Sequence, residues 1–302
     1  MNPLYYQACL FFQCPLVDRT ETLDSGLNLQ LLQPIEAWAP ISDSFEELCA
    51  QRAREIITLS AGRRITVLWS GGIDSTAVLI ALYRELSVRE ERDRLHLLLS
   101  QESIDEFPAF FEAIIQDKLA YTRIESTIYE QIDPADLNIT GEHGDQLFGS
   151  DKLKYHVMTG EAWRPWEDNL EYVIAHKLGH KAPAAEIIEY LRPQVAQSPL
   201  PINTLYDYLW WMNFSLKWQH VSLRLREGLT TGAFALEDNL CHFFQSTDFQ
   251  RWSLSNPQSK IKSDWKSYKY IAKEYIHDFF PNEDYLLNKE KEQSLKLVIV
   301  RR

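Results

Sequence analysis

One stretch constrains this chain more than any other. Residues 65–69, ITVLW, form a short apolar run that gives way to Ser70-Gly71-Gly72-Ile73-Asp74-Ser75 and then to a longer segment, STAVLIALYREL. The first run is β-rich and follows Gly62-Arg63-Arg64, as a buried strand would. In the second, Val78, Leu82 and Leu86 recur at helical spacing, so a helix is expected to start near Asp74. Residues 95–100, LHLLLS, supply another apolar run. A strand, helix and strand in this order close naturally into a parallel sheet.

Further along, a helix is expected over residues 108–118 and a strand over 136–140, the latter running into Gly141-Glu142-His143-Gly144-Asp145-Gln146-Leu147-Phe148-Gly149. Two glycine-bearing loops thus follow two strands, at the carboxyl ends where open α/β sheets hold their ligands. From about residue 152 the pattern turns to long helical, aromatic-rich segments, and seven of the nine tryptophans lie beyond residue 160. Core packing explains such tryptophans. A stacking platform for an aromatic substrate is the other reading. The expected organisation is an N-terminal extension or cap over 1–60, an α/β core over 61–155 and a helical part over 156–302.

Composition narrows the class. A chain of 302 residues can bury one large core or two modest ones, and 45% hydrophobic residues with no polar tract argue for a globular fold. A formal net charge of -12 disfavours a non-specific grip on nucleic acid, which relies on clustered Lys and Arg. Cys9, Cys14, Cys49 and Cys241 include no CxxC pair, so no zinc ribbon is suggested. The first residues lack the basic start of a secretory signal, and no run of about eighteen apolar residues occurs. The expectation is a cytoplasmic protein with no membrane partner.

The first glycine loop has the chemistry of an anion site. A strand leading into a helix start offers backbone N–H groups and the favourable end of the helix dipole. Gly71 and Gly72 let the backbone curl close to a phosphate, while Ser70, Ser75 and Thr76 add hydroxyls. Asp74 alone would repel phosphate, so its presence points to a magnesium ion. No GxxxxGK[ST] sequence occurs, which separates this loop from the common one that cleaves at the γ-phosphate.

SGGIDS resembles the SGGxDS signature of the PP-loop ATP pyrophosphatases, which cleave ATP between the α- and β-phosphates. GEHGDQLFG is similar to the GEGxDELFGG segment of asparagine synthetases, β-lactam synthetases and lasso-peptide cyclases. The resemblance covers roughly residues 60 to 295 and is specific at these two loops. It implies a doubly wound, mainly parallel sheet of the adenine nucleotide α-hydrolase-like type, followed by a helical C-terminal region. It also implies ATP and Mg2+ as cofactors, with Asp74 and Asp145 holding the metal and with Ser70, Gly71, Gly72, Ser75, Thr76 and Gly141 at the nucleotide. Glu142 matches the glutamate beside the reacting centre, where it could take a proton from an attacking amine. Ser100 ends the strand that meets adenine in that family. KSYKYIA, residues 266–272, loosely resembles the family's KxxLRxA helix, and Lys291-Glu292-Gln293 resembles its KEQF segment. A lysine there would neutralise the α-phosphate as pyrophosphate leaves, with Lys266 favoured for the role and Lys291 second. Each of these has a plainer reading: a turn residue for Asp145, a solvated carboxylate for Glu142, a buried strand for Ser100, and a charged surface for the two lysines.

Departures from the family pattern shape the expected function. His143 stands where glycine is usual, Gln146 where glutamate is, and Tyr270 where arginine is. Residue 2 is Asn rather than the cysteine nucleophile of a glutaminase, and about sixty residues before the first strand are too few for that domain. About forty residues between Ser100 and Gly141 leave little room for an aspartate pocket. The expectation is therefore an AMP- and pyrophosphate-forming ligase that adenylates a small-molecule or peptide carboxylate or amide. Its nitrogen would come from free ammonia, a separate donor protein or an amine-carrying partner, and a homodimer contact through the N-terminal piece is one option. The alternatives are a PP-loop enzyme that modifies a nucleic-acid base and a non-catalytic nucleotide-binding protein.

Overall fold

Apolar side chains on both faces decide where the strands β1 (Ile65–Leu68) and β2 (Leu95–Leu99) lie. Ile65 and Val67 are buried on one face of β1 and Thr66 on the other, as are Leu97 and Leu99 on one face of β2 and Leu98 on the other, so the strands are covered above and below, as interior strands of a parallel sheet are. In the computed structural model, which describes residues 1–125, 128–150, 152–228 and 239–290, they are joined by β3 (Ala120–Arg123), β4 (Leu137–Thr140) and β5 (Leu240–His242). The five strands are all parallel, in the order β3-β2-β1-β4-β5. Ile65 pairs in register with Leu95 on one side and with Leu137 on the other. The order runs outward from β1 in one direction and resumes at β4 in the other, which makes the β1/β4 boundary the topological switch point of a doubly wound α/β sheet.

The expected strands at 65–69, 95–100 and 136–140 are present, each a residue shorter by its pairing. Trp69 still donates its backbone N–H to the Leu98 carbonyl at 2.9 Å. The expected helix over 108–118 is instead one short turn, Pro108–Phe110, followed by a π turn, Phe111–Ile115. The wider turn brings Phe110, Phe111 and Ile115 inward together. Two strands were not foreseen. β3 is an exposed, polar edge, and β5 has only three residues.

The chain gathers into two compact units drawn from interleaved stretches. One comprises Met1–Pro40, Asp145–Leu223 and Ser263–Trp265; the other, which holds the sheet, comprises Ile41–Gly144, Arg224–Lys262 and Lys266–Arg302. The consecutive segments 1–60, 61–155 and 156–302 do not coincide with them. The sheet unit, for example, takes in the helix Phe45–Leu59, which starts on a Ser44/Glu47 capping box. Its apolar face, Phe45, Leu48, Ala53 and Ile56, packs on the helix Ile73–Val88 that follows β1. That second helix is apolar nearly all round, and its residues Ala77–Leu82 are all buried. The helix Tyr270–Phe279 packs on both.

The other unit is helical, and its core is aromatic. In the helix Leu205–Leu216, Trp210, Trp211 and Phe214 are buried, and Phe214 meets the Trp218 ring edge-on at 5.4 Å. These tryptophans are packing residues. Among the described residues no helix is long and apolar enough to cross a membrane.

At the amino ends of β1 and β4, Asp136 is buried and accepts hydrogen bonds from Arg64 Nε at 2.8 Å and from the buried Thr66 hydroxyl at 2.6 Å. Asp136→Ala strands that hydroxyl and removes the ion pair. It is expected to cost about 2 kcal/mol in urea unfolding, while ligand binding at the opposite ends of the strands stays unchanged.

Candidate functional site

The loop after β1 is closed on itself. Ser70 Oγ lies 2.9 Å from Ser75 Oγ, which in turn accepts the Ser70 N–H at 3.1 Å and donates to the Gly72 carbonyl at 3.2 Å. Thr76 is wholly buried below the loop and accepts the indole N–H of Trp69 at 3.1 Å, so it braces the turn. Gly72 occupies the N-cap of the helix Ile73–Val88, and no side chain caps that helix. Its first turn therefore presents backbone N–H groups at the positive end of the dipole.

Gly71 has φ +74, a conformation that favours glycine. A Cβ there would run into the Ser103 carbonyl and would lie 2.8 Å from Glu106 Cβ. Both neighbours belong to the helix Gln101–Glu106, whose N-cap is Ser100. Ser100 and Ser103 cap each other reciprocally, so Ser100 is a buried structural residue that sets the segment pressing on Gly71.

The loop after β4 meets the same place. A Cβ on Gly141 would come 2.9 Å from the Ser75 amide nitrogen and 3.1 Å from Asp74 Cβ. On Gly144 it would collide with the Asp74 carboxylate, 2.7 Å from Oδ2. The two glycines make room for the first loop, and Asp74 rests against the backbone of Gly144. Asp145 follows directly in the chain and opens the second turn.

Three carboxylates around these loops carry basic partners. Asp74 Oδ2 accepts from Lys269 Nζ at 2.5 Å, and the Lys269 side chain is 0% exposed. Glu106 pairs with Lys289 at 2.7 Å, both side chains largely buried. Glu142 is held by Arg224, and its own N–H donates to Thr140 Oγ1 at 3.2 Å. The Thr140 hydroxyl also meets His242 Nδ1 at 2.7 Å, and the His242 and His143 rings lie 5.2 Å apart.

Lys266 is exposed, with its ammonium donating to Asn288 Oδ1 at 3.1 Å, and Lys291 lies outside the described residues. Lys269, three residues on, was not singled out from sequence. Its signal was faint, a lysine at the leucine position of the KxxLRxA pattern.

Magnesium suits this donor set. The ion takes one or two carboxylates together with phosphate oxygens and water, so it needs no dense cluster of protein ligands. Among the described residues no three His, Cys, Asp or Glu side chains gather as a metal shell. The Asp74 carboxylate has lone pairs beyond the one facing Lys269.

In the helical unit, residues 145–149 are fastened by side chains of the helix Leu205–Leu216. Asn213 Nδ2 donates to the Asp145 carbonyl at 3.0 Å and to the Gly149 carbonyl at 2.5 Å. Trp210 Nε1 donates to the Leu147 carbonyl at 3.2 Å and the Tyr206 hydroxyl to the Phe148 carbonyl at 2.5 Å. The Asp145, Leu147, Phe148 and Gly149 carbonyls, which the end of a short helix would leave orphaned, are thus engaged. Gln146 Nε2 donates to Asn213 Oδ1 at 3.2 Å, which explains glutamine at a position where the family pattern has glutamate. A carboxylate has no proton to give.

Gln146→Glu is therefore expected to lower stability by about 2 kcal/mol at neutral pH, with the loss shrinking in acid as the carboxyl protonates; urea titrations at two pH values check it. Gly71→Ala should cost several kcal/mol more than Gly62→Ala, since Gly62 shares a positive φ of +85 but has nothing within 4 Å of an added Cβ. Thermal unfolding separates the two contributions. No family model matches the chain, and no curated protein matches it.

Proposed function

We propose that the chain is an ATP-dependent ligase that forms AMP and pyrophosphate while activating a carboxylate or amide for attack by an amine or ammonia. The observation that carries this reading is the interlock of two glycine loops at the switch point, with Asp74 seated against Gly144. An uncapped helix start supplies donors for phosphate, and an acidic residue in its first turn supplies a ligand for the cation that a triphosphate brings. The likeness of both loops to the PP-loop and asparagine synthetase patterns adds the cleavage position between the α- and β-phosphates.

In this reading the first-turn amides of the helix Ile73–Val88 would orient the phosphates, and Asp74 would hold magnesium. That ion supplies charge neutralisation at the phosphates. Glu142, fixed by Arg224, orients the attacking amine through its carboxylate. The acceptor is a small-molecule or peptide carboxylate.

A second reading has a specific observation behind it. Asp74 and Glu142 are both ion-paired within the protein, an arrangement that also suits a nucleotide-binding protein without turnover.

Incubation with Mg-ATP, ammonia and a pool of metabolite carboxylates, read by mass spectrometry, tests both. AMP and pyrophosphate are expected from the unaltered chain, and Asp74→Ala should lower the rate at least a hundredfold, on the order of 3 kcal/mol of barrier. ADP as product, or AMP formation that survives Asp74→Ala, would refute the ligase. ATP binding without either product selects the second reading.

A further inference from the structure

We infer that Cys9 and Cys14 are a reversible dithiol site: on meeting a small-molecule disulfide they close into a disulfide of their own, within one chain, across the C-terminal turn of the helix Pro3–Phe12. The site lies in the helical unit, and it holds whether or not the chain is a ligase.

Backbone geometry brings the two residues together. The helix Pro3–Phe12 ends on Gln13, which takes the left-handed conformation with φ 59 and ψ 33. The Gln13 N–H donates to the Leu10 carbonyl at 3.3 Å, and the Cys14 N–H reaches back to the Cys9 carbonyl at 3.2 Å. This pair of bonds defines a helix stop that folds the residue after the left-handed one onto the residue five places earlier, where the two side chains commonly touch. In this chain both positions are cysteine. A disulfide asks for Cα atoms about 4.4 to 6.8 Å apart, a span that residues joined by a backbone hydrogen bond can meet without rearrangement.

The turn is held from both sides. Pro15 restricts Cys14 to extended conformations. The Tyr5 hydroxyl, one helical turn before Cys9, donates to the Leu16 carbonyl at 2.8 Å and so ties the chain after Cys14 back onto the helix. Burial pushes the Tyr5 phenol up to about 12, with the Cys9 thiol the next cause and Cys14 a weaker one, so both sulfurs lie within electrostatic reach of a single oxygen. Farther on, the Val17 and Arg19 N–H groups donate to the Leu216 and Ser215 carbonyls at 2.9 and 3.1 Å. A bond from 9 to 14 would thus fasten the first helix to a segment already bound to the helix Leu205–Leu216.

The other two cysteines supply the contrast. Cys49 and Cys241 are buried, and burial pushes both thiols up, Cys49 well above the usual range. Buried thiols of that kind are inert. Cys9 and Cys14 are half-buried, so an oxidant can reach them.

The exchange balances. One thiolate attacks the oxidant's disulfide, forming a mixed disulfide and releasing one small thiol; the second thiolate attacks the mixed disulfide and releases the other. Two electrons pass from the protein sulfurs to the oxidant, and the two thiol protons end on the released small thiols.

Glutathione buffers at fixed ratios of oxidised to reduced form, followed by alkylation and mass spectrometry, test this on the full chain. Arg19 is the first basic residue, so trypsin releases both cysteines in one peptide, residues 1–19. That peptide is expected to lose both alkylation sites together without joining two chains on a non-reducing gel, while Cys49 and Cys241 stay open to alkylation once unfolded. At the same buffer ratio the closed form should be at least several-fold more populated in the folded chain than in urea, since the turn is assembled in advance. Cys14→Ser should leave Cys9 able to form only the mixed disulfide with glutathione. Glutathione adducts persisting on both cysteines of the unaltered chain, a bond to a second chain, a closed fraction no higher when folded than in urea, or no oxidation at the most oxidising ratio would each overturn the inference.

Discussion

The contact between the Asp74 carboxylate and the backbone of Gly144 sets the terms for everything around it. It requires a residue without a side chain at 144 and another at 141, and it requires β1 and β4 to be neighbours so that their loops emerge side by side. Neighbouring parallel strands reached from opposite directions of winding are what a doubly wound sheet provides at its switch point. The site is thus a consequence of strand order as much as of the residues in either loop. Gly71 adds the third constraint, since the helix Gln101–Glu106 closes against it from the β2 side.

Charge follows the same geometry. An aspartate in an anion-binding loop looks contradictory as a sequence, and a metal ion was the natural way out. The folded chain answers it with a lysine of its own, and treats Glu106 and Glu142 in the same manner. Burying carboxylates is costly unless each has a cation. With the cations built in, the loops can be packed tightly before any ligand arrives.

Much of this was legible beforehand where local physics decided the outcome. The interior strands β1 and β2 are short apolar runs, β4 carries Leu137 and Ile139 on one face, and the helix after β1 is apolar nearly all round, so period and composition located them. β3 and β5 were not legible, because a polar edge and a three-residue strand owe their existence to the neighbour they pair with. Within the site, Asp74 and the serines of the first loop were singled out by the chemistry of the loop, and Gly141 by the resemblance of the second. Lys269, Lys289 and Arg224 come from stretches far away in sequence, and no local pattern ties a lysine at 269 to an aspartate at 74. Ser100 and Thr76, expected at the nucleotide, have their hydroxyls engaged within the protein as a cap and a brace, which no local pattern announces. Gln146 stands where the resembled pattern has glutamate, and its amide donates to Asn213 Oδ1, a partner that only the fold brings near.

The placement of β5 has a consequence for how the protein is made. β4 ends at Thr140, while the strand that covers its outer edge begins at Leu240. A hundred residues must therefore leave the ribosome before that edge is paired. Until then Leu137–Thr140, a buried strand in the finished protein, presents unpaired backbone to any other chain in reach. Nascent copies on one message meet at high local concentration. The outer edge of β4 thus stays open to association with sibling chains far longer than the edges that β1 and β2 share.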